Sequence, residues 1–214
     1  MARERLEFDE AGLAGRAYPL LNSSVVPRPI AWVSTRSADG VDNLAPHSFF
    51  TVASADPPVV CFTSVGAKDT LANCRATGEF VVAVVTDPLA EAANATSTDF
   101  PHGVSEFDAA GLTREPAAVV APPRVAESPV ALECRVVDER TFGEGSTAST
   151  VVFGRVVHVA LDPAVVVDGL PDMARLRPVS RLNRDLWAGL GTLFGLRRVP
   201  VRDWDGTPDR RAPR

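Results

Sequence analysis

Lysine is almost absent from this chain. Of its 22 basic residues only Lys68 is lysine and the other 21 are arginine, so the one side-chain amine stands out by its position. Basic charge as a whole is also short: 22 Lys plus Arg against 27 Asp plus Glu leave a net charge of −5. That balance excludes the basic stripe a nucleic-acid surface needs, and small molecules or proteins are the expected partners. No apolar run approaches the ~18–20 residues that cross a bilayer, and the opening Met-Ala-Arg-Glu-Arg-Leu-Glu-Phe-Asp-Glu lacks the apolar centre of a signal peptide. No membrane partner is therefore expected. The expected location is the cytoplasm, where the sequons at Asn22 and Asn94 have no role.

Cysteine is scarce as well. Cys61, Cys74 and Cys134 form an odd set without Cys-x-x-Cys spacing, which excludes a disulfide scaffold or zinc site and suits reduced, buried thiols. The chain has no Gly-x-Ser-x-Gly elbow, no P-loop and no His-Glu-x-x-His, so the common hydrolase, NTPase and metalloprotease chemistries have no local support. Gly189, Gly191 and Gly195 do not have dinucleotide-loop spacing and follow no strand. They read as punctuation at the end of a helix. His47, His102 and His158 are scattered without metal-ligand spacing. Of the three, only His47 is expected beside a cofactor, and His158 reads as a residue of a strand wall.

What is present is one core's worth of apolar residues, 45% of 214, with no linker to divide it. Residues 1–17 read as a lead-in, 18–200 as one domain and 201–214 as a disordered tail. Strands are expected over Ile30 to Thr35, Leu44 to Val52 (with Pro46 marking an edge or bulge), Val59 to Ser64 and Glu79 to Val85. The last two read as buried on both faces. A short helix capped by Asp69 is expected from Asp69 to Ala76, ahead of Gly78. Pro88 opens another, to about Asn94. A third short helical piece is expected at Glu106 to Ala110, within an irregular 96–128 segment that reads as a lid or partner-facing region. Two long strands, Val130 to Thr141 and Thr147 to Leu161, flank a hairpin loop at Gly143 to Ser146. A final helix is expected over Asn183 to Phe194. The sum is a mainly β barrel with a few short helices.

The chemistry gathers in Lys68-Asp69-Thr70-Leu71-Ala72-Asn73. A helix starting near Thr70 offers backbone N–H groups and a positive dipole end. Thr70 adds a hydroxyl, Asn73 lies a turn further on, and Lys68 adds charge. A phosphate fits that pattern, and an ordinary Asp-capped helix with a solvated Lys fits it too.

Three stretches decide between these readings: Val26-Pro27-Arg28-Pro29-Ile30-Ala31-Trp32-Val33-Ser34-Thr35, Asn43-Leu44-Ala45-Pro46-His47-Ser48-Phe49-Phe50, and Lys68-Asp69-Thr70…Asn73. With Thr96-Ser97-Thr98-Asp99-Phe100 and Pro178-Val179-Ser180-Arg181-Leu182 further on, their order and spacing from about Tyr18 to Pro200 resemble the flavin reductase-like FMN-binding proteins. The resemblance implies a split β-barrel of Greek-key type, a homodimer with FMN at or near the subunit interface, and NADH or NADPH as electron donor to flavin or a small acceptor. It implies cofactor contacts from Arg28, Pro29 and Ile30, from Asn43, Ala45, Pro46, His47 and Ser48, from Lys68, Asp69, Thr70 and Asn73 at the phosphate, and from Arg181. Aromatics such as Trp32, Phe49 and Phe50 belong either near the ring or in the core. The pattern departs from the family at Asn183-Arg184 and Trp187, and no Gly-Asp-His lies between Gly143 and Thr150. Donor and acceptor identity therefore stay open, as does the choice between an enzyme and a non-enzymatic FMN electron carrier.

Overall fold

The computed structural model describes residues 3–101, 103–204, 206–207 and 212–213. Two short helices, α1 (Glu10–Leu13) and α2 (Ala17–Ser24), precede strands β1 (Arg28–Pro29), β2 (Ala31–Arg36), β3 (Asp42–His47), β4 (Phe50–Ala55) and β5 (Pro58–Val65). Next come α3 (Asp69–Thr77), β6 (Glu79–Val84), a 3-10 turn at Asp87–Leu89 that runs into α4 (Ala90–Ala95), and α5 (Glu106–Ala109). The two-residue strands β7 (Arg114–Glu115) and β8 (Arg124–Val125) lead to the long hairpin of β9 (Val130–Phe142) and β10 (Ser149–Leu161). The chain continues through β11 (Val166–Val167), β12 (Leu170–Pro171), α6 (Met173–Leu176), β13 (Ser180–Arg181) and β14 (Trp187–Ala188).

Seven strands form the main antiparallel sheet in the order β3-β2-β6-β9-β10-β5-β4. Its two edges, β3 and β4, are consecutive in the chain and separated only by Ser48 and Phe49. Such a sheet has to curl until its edges meet. They approach without pairing: His47 Nδ1 at the end of β3 lies 3.2 Å from the Thr63 carbonyl of β5, and among the described residues β3 forms a ladder only with β2. Pro46 sits on that unpaired edge, where its missing donor costs nothing. The result is a barrel split along one seam.

Strands β2 and β6 are buried on both faces because each face has its own cover. Ala31, Val33, Phe80 and Val82 point into the barrel with Phe62, Leu71, Cys74 and Val152. Trp32, Ala83 and Val85 pack outward with Leu44, Ala93, Phe107 and Val125. At full burial each large side chain contributes about 1.5–3 kcal/mol. Strand β5 departs from expectation: Val60, Phe62 and Ser64 are buried, whereas Cys61 and Thr63 are only half-buried. Its second face is left half-open, and part of that face lines a cavity through Thr63 and Val65.

Three further expectations are corrected. The run from Leu44 to Val52 is two strands, broken at Ser48 and Phe49 where the chain crosses the seam. Asp69 is the first helical residue of α3, and Lys68 occupies the cap position with extended backbone and no capping side chain. No helix spans 183–194; β14 pairs there with β13, Arg181 opposite Trp187, so Gly189 and Gly191 end no helix. The 96–128 segment is pinned to the sheet, with Phe107 and Val125 buried and the Ser34 hydroxyl donating to the Pro123 carbonyl. In the expected tail, Val201–Asp203 form a 3-10 turn and Ala212–Pro213 pair with Phe194–Gly195. The expectation at 205, 208–211 and 214 lies outside the described residues, as does His102.

Candidate functional site

A cavity of about 470 Å³ opens at the seam. Strand β3 contributes Asn43, Ala45, Pro46 and His47, the crossing contributes Ser48 and Phe49, and β5 contributes Thr63 and Val65. Ala67 to Thr70, the loop Thr96 to Phe100, Glu106 and Tyr18 complete the wall.

One end of this cavity suits an anion. The start of α3 has no side-chain cap, and first-turn N–H groups have no intrahelical acceptor, so a positive dipole end meets the cavity. Thr70 is 1% exposed, and its Oγ1 accepts from Asn43 Nδ2 at 3.0 Å. The Thr70 hydroxyl therefore keeps its own proton to donate. Lys68 Nζ sits 3.1 Å from Asp99 Oδ1 across the mouth. Both side chains of that pair are exposed, so it is weak and can rearrange.

The other wall is apolar and neutral. His47 packs against Phe62 with ring centroids 4.8 Å apart, and its Nδ1 lies 3.2 Å from the Thr63 carbonyl. Burial pulls its pKa down to about 4 against the Thr63 hydrogen bond, and the Lys68 charge lowers it further. A neutral imidazole that donates from Nδ1 leaves Nε2 as a bare acceptor. This buried Nε2 has no partner among the described residues. Towards the α3 end, Glu106 is 8% exposed and accepts the Leu44 N–H through Oε2 at 2.8 Å. Burial raises its pKa against that bond, and the Asp69 charge adds to the rise.

Asn43, Ala45, Pro46, His47, Ser48, Lys68, Asp69 and Thr70 thus meet in one cavity, and Arg28, Pro29, Ile30, Asn73 and Arg181 stand outside its wall. Asn73 supports from behind, donating to Thr35 Oγ1 at 3.0 Å. Ile30 is core. Arg28 is a backbone clamp, with Nη1 donating to the Asn22 and Val25 carbonyls at 2.6 and 3.0 Å and Nη2 to Leu182 at 2.7 Å. Sequence reasoning assigned no role to Tyr18, Thr63, Val65 or Glu106. Glu106 carries no local signal beyond its place in a short helix, whereas the Thr96-Ser97-Thr98 hydroxyl run was visible. Trp32, by contrast, is core, with its indole N–H on Thr96 Oγ1 at 2.9 Å. None of the cysteines lines the cavity. Burial pushes Cys74 and Cys134 up to about 12 and raises Cys61.

Comparisons with known proteins match this geometry. An uncharacterised protein of Halalkalibacterium halodurans is 43% identical over 192 residues, which is 86% of this chain and 91% of that one. The crystal structure of nitrilotriacetate monooxygenase component B from Bacillus cereus is 31% identical with a TM-score of 0.87, covering 91% of this chain and 100% of that one. The 2-nitrobenzoate 2-nitroreductase of Pseudomonas fluorescens is 28% identical with a TM-score of 0.84, over 94% and 100% of the two chains. The seam and the curled sheet are those of split-barrel flavin reductase folds. Residues 23–170 match the flavin reductase like domain, a span that holds the whole seven-stranded sheet and all of the cavity but Tyr18, and the chain belongs to that family.

Proposed function

We propose that the protein is an FMN-dependent oxidoreductase that takes electrons from NADH or NADPH and passes them to flavin or a small acceptor. The observation that carries this reading is a single cavity with an uncapped helix start at one end and a buried, bare imidazole nitrogen at the other. That donor and acceptor set fits a phosphate-bearing ring cofactor. Thr70 and the first turn of α3 would donate to the phosphate while Lys68 supplies charge. His47 Nε2 would accept a hydrogen bond from an N–H or O–H of the cofactor, and Pro46, Phe49 and Val65 would exclude water. FMN itself supplies the hydride and electron chemistry, so the protein need only bind, orient and tune it. Neutral His47 adds no charge to the ring's surroundings.

Function as a homodimer belongs to the same reading. Its support is exposed apolar surface: Tyr18 at the cavity is 70% exposed, Leu21 on α2 58% and Val52 on β4 68%, and strand β4 is an open edge of the main sheet.

The test is a visible-absorbance titration of purified protein with FMN, followed by steady-state consumption of NADH and NADPH. Saturable binding with turnover is expected. Tight binding without turnover would mark an electron carrier instead, and a protein that stays colourless with FMN would refute both.

A further inference from the structure

Arg28 and Arg181 are register partners across β1 and β13. Like charges directly opposite each other on one face are destabilising, and these two sit in a chain whose net charge is −5. Arg184 adds a third positive charge, holding φ at 48° while its carbonyl accepts from Arg181 Nη2 at 2.8 Å. None of these arginines takes part in an ion pair among the described residues. Arg28 is 7% exposed, and its Nε is buried without a partner among the described residues. A charge so withdrawn from water and held by carbonyls without a carboxylate partner costs stability, and departures of this kind concentrate at functional sites.

The patch also has flat faces. Arg181 stacks over Trp187 at 5.3 Å and Arg28 over Phe49 at 5.8 Å. Phe49 lines the cavity, so the basic patch continues the cavity outward past that ring. Asp185 follows Arg184 in the same hairpin and makes no ion pair with the three arginines among the described residues, whereas at the α3 mouth Lys68 already faces Asp99.

We infer that Arg181, backed by the charge of Arg28 and flanked by Trp187 and Phe49, is a second anion site, which receives the phosphate or carboxylate group of the second redox reactant. Three of the four Nη hydrogens of Arg28 are taken up by carbonyls, so Arg28 chiefly supplies field. Arg181 has only one of its donors engaged and supplies the hydrogen bonds, as guanidinium forks do for carboxylate and phosphate. The role as a reactant site rests on the proposed flavin chemistry; the anion site itself does not.

Isothermal titration of the protein saturated with FMN, so that the α3 end is already occupied, with inorganic pyrophosphate and with benzoate as probes at low ionic strength, tests this. Wild type should bind at least one probe. Arg181→Ala should weaken that binding about tenfold, the loss expected for a charge-assisted pair. Arg181→Lys, which keeps the charge but not the fork, should fall between them. Lys68→Ala should leave the probe's affinity unchanged, and Arg181→Ala should leave FMN affinity by absorbance unchanged. Preference for pyrophosphate would point to a dinucleotide phosphate, and preference for benzoate to a ring-borne carboxylate. No binding at millimolar probe, or equal binding by wild type and a folded Arg181→Ala, overturns the site. Loss confined to Lys68→Ala does so too, by sending the anion to α3. Failure of FMN to bind would sink the flavin reading and leave a probe affinity lost only in Arg181→Ala standing.

Discussion

Thr70 accepts from Asn43 and retains a proton to give, and Lys68 reaches the same end of the cavity. Thr70→Ala and Lys68→Ala should each weaken FMN binding about tenfold, because a charge-assisted hydrogen bond contributes roughly 1.5–3 kcal/mol. Riboflavin, which lacks the phosphate, should bind both variants as it binds wild type; fluorescence titration of the two ligands makes the comparison, and equal losses would assign the segment to the fold. His47 predicts a pH effect. Its folded pKa of about 4 lies below the usual His value near 6.5. The unfolded chain therefore binds the extra proton between those limits. Stability from this group is complete above pH 6.5 and falls as pH drops towards 4, by up to about 3 kcal/mol. Glu106, held up by burial, acts in the opposite sense: its contribution falls as pH rises through the acid range. Urea midpoints of wild type and His47→Gln between pH 4 and 7 should therefore differ, the variant showing the smaller rise. At this scale the sequence displayed Lys68, Thr70 and His47 because they sit in contiguous motifs. It hid Glu106, whose role arises from 62 residues of separation to its partner Leu44.

Strand β10 carries Gly154 at a register shift against β9. A Cβ built there would lie 2.2 Å from Phe80 Cζ and 3.1 Å from Cys134 Cβ. Phe80 is itself locked edge-to-face on Phe62 at 5.3 Å, so it has little room to retreat. Gly154→Ala should cost about 1–3 kcal/mol or more through overpacking, read as a lowered denaturation midpoint. On β9, Glu133 is fully buried and accepts from the Ala118 and Val119 N–H groups at 2.8 and 2.7 Å and from Arg124 Nε at 2.9 Å. Burial alone would raise its pKa, but these donors outweigh burial and hold it low. Glu133→Ala should destabilise by about 3–5 kcal/mol, since it leaves the Ala118 and Val119 N–H groups without their acceptor and a largely buried Arg124 with only a long 3.8 Å carboxylate contact, to Glu115. The same change should speed hydrogen exchange at the Ala118 and Val119 amides. The long hairpin was legible because Val and Thr recur through two long segments on either side of a Gly-rich turn. The helix expected over 183–194 was not there, because its apolar spacing reflects tertiary contacts: Trp187 packs on the outer cluster of Trp32 and Phe107 while pairing through β14.

A seven-stranded sheet whose end strands are chain neighbours cannot lie flat. That global curl was not visible in any one segment, although the order of motifs pointed to it through resemblance. With its open β4 edge and exposed Tyr18, Leu21 and Val52, the chain should run as a homodimer in light scattering at micromolar concentration, and a mass near one chain would contradict this. One compositional oddity acquires a practical meaning on this scaffold. Lys68 is the sole lysine of the sequence, and it stands at the cavity mouth with an exposed side chain. A lysine-specific protease therefore has one address in this sequence, and cutting there divides residues 1–68 from 69–214. Any ligand seated at the start of α3 shields that bond, so the ratio of intact chain to two fragments becomes an occupancy gauge that needs no label, no chromophore and no knowledge of what the ligand is.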